Sequence, residues 1–156
     1  MTILSADFTE IESFLYSNQL DKSHICLVGS IALAHIEIRQ NKDIDLIILS
    51  SIRKEKFNNN TIEISKKIDI VRSPWSSIFS DDEIIENENL HSLINGFKVV
   101  KPELLYHKKI WLNRLKDQKD VIELLAFAQM SSNWDWKLLS FPAKTDSITI
   151  YLTTRS

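Results

Sequence analysis

Residues 28–49, Val28 to Leu49, read VGSIALAHIEIRQNKDIDLIIL. The run Ile44–Leu49 is apolar enough for a buried strand, yet Asp43 and Asp45 stand one residue apart at its start. Side chains alternate along a strand, so these two carboxylates share a face, with Cα atoms roughly 6.5 Å apart. Ile44, Leu46 and Ile48 then point the other way, into a core. Burying one ionised carboxylate is costly, and burying two side by side is worse. A cation is the natural compensation.

A third acid recurs in a similar setting. In KKIDIVR, Asp69 lies between Ile68 and Ile70. If that strand lies beside the first, about 4.8 Å away, three carboxylates converge on one patch. Two divalent cations roughly 3.5–4 Å apart would resolve the repulsion, in the geometry of in-line phosphoryl or nucleotidyl displacement. All-oxygen ligands favour Mg²⁺ or Mn²⁺ over zinc. An isolated Asp-x-Asp pair is usually solvated; the flanking apolar run argues against that here. Asp69 taken alone is equally a salt-bridge partner for Lys67 or Arg72.

Upstream, Gly29-Ser30 ends an apolar strand and opens a helix. Glycine there permits a positive φ or close backbone approach. Serine can cap the helix and leave its N–H groups facing a phosphate. Such a junction is also found where no ligand binds, but only Gly29 and Gly96 occur in the whole chain.

The chain has 156 residues, 44% hydrophobic and 26% charged, with a formal net charge of −2. That suits one soluble domain with one core. It gives no support to a large basic nucleic-acid surface, although a local basic patch stays open. The single cysteine, Cys26, excludes an internal disulfide framework and reads as a small buried hydrophobe. No basic leader precedes an apolar run, and the longest apolar stretch is too short for a bilayer, so a cytoplasmic protein with no membrane partner is expected.

The pattern predicts a helix from Asp7, as N-cap, to about Asn18, a strand His24–Val28, a helix from about Ile31 to Arg39 and a strand Ile44–Leu49. A short helix or loop follows over Ile52–Phe57. TIEISKKIDIVR carries strand-forming residues, the second part being Ile68–Arg72. DDEIIENENLHSLI reads as one helix with an acidic first turn, and Gly96 turns the chain into FKVV. Pro102 suits the first helical position, and Asp117 is expected to cap a last helix carrying Val121, Leu124, Leu125 and Ala128. The tail SITIYLTT alternates and is expected as an edge strand or one that pairs in a homo-oligomer. The expected architecture is α+β, a small mixed sheet with flanking helices, forming one domain over residues 1–156 with a core at about 20–100 and helices at about 101–140.

Apolar strand, Gly29-Ser30, helix, Asp43-x-Asp45 in a strand and Asp69 in a later strand form a combined pattern. It resembles, over roughly residues 25–72, the nucleotidyltransferase superfamily with the polymerase-β-like fold. KPELLYHKKIWLNRLKDQKDVIELL, residues 101–125, is similar to the trailing helices of small bacterial members. The resemblance implies that Asp43, Asp45 and Asp69 ligate Mg²⁺ or Mn²⁺, with Asp69 helping to activate the acceptor hydroxyl. It implies that Gly29 and Ser30 hold the phosphates of a nucleotide such as ATP. Lys108, Arg114 and Lys116 could contact phosphate or acceptor; the competing reading is a solvated helix face with Asp117 and Asp120 as helix-start residues. His107 reads as a packed or surface histidine. Trp75, Trp111, Trp134 and Trp136 read as packing residues, with an aromatic near Pro74 available to stack on a base.

Two distant glycines cannot make a dinucleotide-binding or Walker A loop, and no H-E-x-x-H motif or nucleophile elbow occurs. The resemblance therefore implies transfer of a nucleoside monophosphate from an NTP to an acceptor hydroxyl on a small molecule or protein, releasing pyrophosphate. Two other readings compete. One is group transfer from a sugar nucleotide on the same metal-binding scaffold. The other is a non-catalytic binding or regulatory module, such as a toxin–antitoxin component.

Overall fold

A computed structural model of the chain describes residues 5–40, 43–57, 67–71 and 79–139, and within these the side chains of Ser5, Ala6, Phe57, Trp111 and Leu139 are not described. The expected strand within residues 61–66, the aromatic near Pro74, and the C-terminal tail strand all lie outside the described residues.

Five strands form one mixed sheet. They are β1 (Ile25–Val28), β2 (Ile44–Ile48), β3 (Ile68–Ile70), β4 (His91–Ile94) and β5 (Phe97–Val100), in the spatial order β3-β2-β1-β5-β4. β1 is antiparallel to β2 and parallel to β5; β2 is parallel to β3; β4 and β5 are antiparallel. The helices are α1 (Ser5–Ser17), α2 (Ser30–His35), α3 (Ser50–Phe57), α4 (Asp81–Glu86), α5 (Pro102–Leu112) and α6 (Gln118–Met130). The mixed α+β architecture with flanking helices matches the sequence expectation. Among the described residues, no helix is long and apolar enough to cross a membrane.

The central strands are buried on both faces. All four residues of β1 are buried, and so are Ile44, Leu46, Ile47 and Ile48 of β2. Such a strand reads as a continuous apolar run, which is what ICLV and DLII show. Phe97 of β5 is fully buried and stacks on Phe8 of α1 with ring centroids 5.5 Å apart. By strand alternation, Phe97 faces the side of the sheet opposite to Asp45. Cys26 is buried, as expected, and burial pushes its thiol pKa well above the usual range.

Four elements differ from the sequence reading. α1 begins at Ser5, so Asp7 lies inside the helix rather than at its N-cap, and its buried carboxylate holds the Lys67 ammonium instead. Ser30–His35 is shorter than the helix expected to Arg39, and Glu37 beyond it takes a positive φ. The segment read as one helix from Asp81 is helical only to Glu86; residues 91–94 instead form β4. The reason is the turn that follows. Asn95 and Gly96 both have positive φ, 52° and 79°, and Ile94 pairs with Phe97 across them. This is the two-residue Asn-Gly hairpin, whose left-handed residues match the twist of the flanking strands. The acidic first turn lies where the sequence places it: Ser80 caps α4 and forms a reciprocal capping box with Glu83. Pro102 stands at the first turn of α5, as expected.

A Cβ at Gly96 would meet only the flexible Lys22 side chain, at 3.5 Å. Gly96→Ala should therefore cost only the left-handed backbone penalty, about 1–2 kcal/mol, in denaturant unfolding. A neutral result would contradict the turn geometry.

Candidate active site at the open end of β2

The acids gather where β2 begins. In the parallel pairing of β2 with β3, Asp45 and Asp69 are direct register partners, flanked by Ile44–Ile68 and Leu46–Ile70. Partners in register lie on one face of the sheet, so the two carboxylates stand side by side. The ladder is anchored at both ends: the Ile44 amide donates to the Lys67 carbonyl at 2.8 Å, and the Val71 amide donates to the Leu46 carbonyl at 2.9 Å. Arg53 of α3 adds a third tie, from Nη2 to the Val71 carbonyl at 2.7 Å. Asp43 precedes the strand and is exposed, Asp69 is exposed, and Asp45 is half-buried.

The electrostatics follow from this placement. Burial raises the Asp45 carboxyl above the ordinary carboxylate range, and the charges of Asp69 and Asp43 push it further the same way, while Lys108 and Lys109 oppose them. Lys108 on α5 is its counterpart. Burial lowers its pKa, and Asp45 and then Asp81 are the charges that most resist this. The charges of Lys108 and Asp45 thus act on each other. Lys67 does not pair with Asp69; its ammonium bonds Asp7 at 2.5 Å. Arg72 lies outside the described residues.

Gly29 has φ 69° and ψ −145°, a region that is nearly glycine-only. A Cβ there would come within 3.0 Å of Asp45 Cβ and closer still to its carboxylate oxygen. The space that glycine leaves is thus taken by the Asp45 side chain. Ser30 does not cap α2 as the sequence suggests. Gly29 holds the N-cap position, and the Ser30 hydroxyl donates instead to the Asp43 carbonyl at 3.1 Å. Gly29 and Ser30 therefore tie the β1–α2 junction to both ends of the Asp43-x-Asp45 unit. α2 has only six residues, so its dipole is short.

The remaining basic residues divide. Arg114 makes two bonds to Asp117, Nε–Oδ2 at 2.6 Å and Nη2–Oδ1 at 3.1 Å. It is therefore neither on a simply solvated face nor free to hold phosphate through those nitrogens. Lys116 is exposed in the short 3-10 turn Leu115–Asp117 and is not among the charges acting most on Asp45 or Lys108. Asp117 precedes α6 but makes no side-chain cap, because its buried carboxylate is held by Arg114 and Lys109. Asp120 is likewise buried, between Arg39 and Lys109. Sequence reasoning missed Lys109 and Arg39. The signal for Lys109 was its place in a helix followed by two aspartates, one just before the next helix and one in its first turn; for Arg39 there was none.

His107 is buried in α5. Trp134 and Trp136 pack edge-on against each other and Tyr106, as expected of packing aromatics. The Trp111 side chain lies outside the described residues.

Among the described residues, no three His, Cys, Asp or Glu side chains are gathered closely enough to hold a metal ion. What the patch offers is carboxylate oxygen: Asp45 and Asp69 stand on adjacent strands with Asp43 just before the first, and Asp45 is half-buried and destabilised by its neighbours.

Two outcomes follow. Gly29→Ala combines a forbidden backbone with a collision against Asp45, so it should lose more stability than Gly96→Ala, by denaturant unfolding. Asp45→Asn tests the charge. A carboxyl whose folded pKa is raised binds its proton more readily when folded, so its contribution to stability falls as pH rises through that interval and stays unfavourable above it. The amide variant should therefore be at least as heat-stable as wild type at pH 7, the difference vanishing at pH values where Asp45 is protonated in both states. A variant clearly less stable at pH 7 would contradict the like-charge account.

No protein-family model, no curated protein and no solved structure matches the chain, so the site rests on its own geometry.

Proposed function

We propose that the chain is a metal-dependent nucleotidyltransferase, moving a nucleoside monophosphate from an NTP to an acceptor hydroxyl. The observation that carries this reading is the register pairing of Asp45 with Asp69 on adjacent parallel strands, with Asp43 one alternation away. Such a grouping is unfavourable as it stands and becomes favourable with divalent cation and triphosphate present.

Asp43, Asp45 and Asp69 are the residues that would hold Mg²⁺ or Mn²⁺. When bound, the cation supplies charge neutralisation at the phosphates and makes the attacking hydroxyl more acidic. Lys108 is set to offset phosphate charge from the helix side. The Gly29-Ser30 backbone, tied to the same acids, is what the phosphates would approach. Asp69, exposed and beside Asp45, is placed to accept the proton of the acceptor hydroxyl. The acceptor oxygen bonds to the α-phosphorus as the bond to the bridging oxygen breaks, and pyrophosphate leaves. Arg114 is engaged by Asp117 and has no part in this scheme; Lys116 is likewise unused.

The test is incubation of the protein with Mg²⁺ and each NTP or sugar nucleotide, with small-molecule and protein acceptors. Pyrophosphate released from an NTP supports the reading, and Asp45→Asn or Asp69→Asn should reduce it by about 10²-fold or more, as expected when an electrostatic anchor of the transition state is removed. Nucleoside diphosphate from a sugar nucleotide would replace it with glycosyl transfer. Neither product, with no cation binding, would leave a non-catalytic module.

A further inference from the structure

We propose that the cavity between α5 and α6 is a binding site for a small organic monocarboxylate with an apolar body. The inference is independent of the acid patch, none of whose residues lines this cavity.

The cavity holds about 320 Å³. That is at the small end of the range for ligand pockets, roughly 300–1,000 Å³. Part of its wall is apolar, from Ile110 of α5 and Ile122 and Leu125 of α6. The rest carries charge, from Lys109, Arg114 and Asp117.

Arg114 decides the head group. A guanidinium is a planar fork of N–H donors that can serve two carboxylates along two edges. Asp117 takes one edge, through Nε–Oδ2 at 2.6 Å and Nη2–Oδ1 at 3.1 Å. The other edge, with an N–H from each Nη, remains, and 43% of the side chain is exposed. That edge matches a second planar carboxylate.

Charge points the same way. The cations Arg39, Lys109 and Arg114 share the carboxylates of Asp117 and Asp120. Among the described residues they form no ion pair with a further carboxylate, so this network carries one positive charge in excess. A monoanion restores neutrality. A dianion such as phosphate overshoots it and is repelled by Asp117, and a neutral ligand leaves the excess in place. The apolar wall selects hydrocarbon for the rest of the ligand. Ile122 is 67% exposed at this wall, and covering it removes apolar surface from water.

The experiment is an NMR titration of the isotope-labelled full chain, without metal or nucleotide. The probes are 4-methylpentanoate, 3-phenylpropanoate and octanoate; the primary amide of each acid and inorganic phosphate are the controls. At least one acid should give saturable shifts centred on residues 110–125. Its affinity should exceed that of its amide and of phosphate by about tenfold or more, as expected for a charge-assisted hydrogen bond. Arg114→Gln should lower the affinity of that acid by about tenfold, for the same reason. If that variant does not fold, Ile122→Glu, an exposed substitution that sets a negative charge at the cavity, has to lower it likewise. No saturable shift with any acid, shifts centred elsewhere, equal binding of acid and amide, phosphate bound as tightly, or wild-type affinity in the folded variant overturns the proposal.

Discussion

The hydrogen-bonded register between β2 and β3 decides whether the acids meet at all. The Ile44 amide on the Lys67 carbonyl and the Val71 amide on the Leu46 carbonyl bracket the pair Asp45–Asp69. Side chains alternate with period two, so a slip of one residue would send Asp69 through to the other face and break up the patch. The apolar neighbours enforce the same choice. Ile44, Leu46 and Ile68 are fully buried, and the slip would exchange Ile68 or Ile70 with a carboxylate. Core packing and site geometry are thus settled together, by where β3 locks onto β2.

Once the register is set, the charges have to be managed. Ile47 is fully buried on the same face as Asp45, so the covering layer begins just past the acids, and Asp45 sits at its margin. Half burial and two like charges hold its carboxyl above the ordinary range. Gly29 makes the placement sterically possible, since any side chain there would occupy the carboxylate's space. Lys108 offsets part of the repulsion from α5. Behind α5, the Arg39, Lys109, Arg114, Asp117 and Asp120 network balances buried charge against buried charge and joins that helix to α6 and to the chain after α2. One end of the sheet therefore carries acids in excess, and the opposing helix is held by ion pairs that are nearly closed among themselves.

Much of this is legible in the sequence because it lies in local patterns. The apolar run around Asp45, the Gly29-Ser30 junction, the acidic helix start of α4 and Pro102 at the start of α5 are all short-range signals, and the structure places an element boundary at each. The Asn95-Gly96 hairpin is a short-range signal too, since Asn-Gly between apolar residues marks a tight turn. The clear helix start of DDEIIENENLHSLI outweighs it when the segment is read as a whole. What sequence cannot supply is pairing across distance. Asp117 has the residue type and position of a helix cap, and only the fold reveals that Arg114 and Lys109 claim its carboxylate. Lys67 could have joined Asp69, yet it binds Asp7, some sixty residues away.

Paramagnetic broadening by Mn²⁺ probes the three-carboxylate patch itself. Amide signals of the isotope-labelled protein would be followed as Mn²⁺ is added together with a non-hydrolysable NTP analogue. The earliest loss should centre on residues 43–46 and 69, spreading next to 29–30 and 108. Loss centred elsewhere, or none at any concentration that saturates a simple nucleotide-binding protein, would contradict the reading of these three aspartates as one cation site.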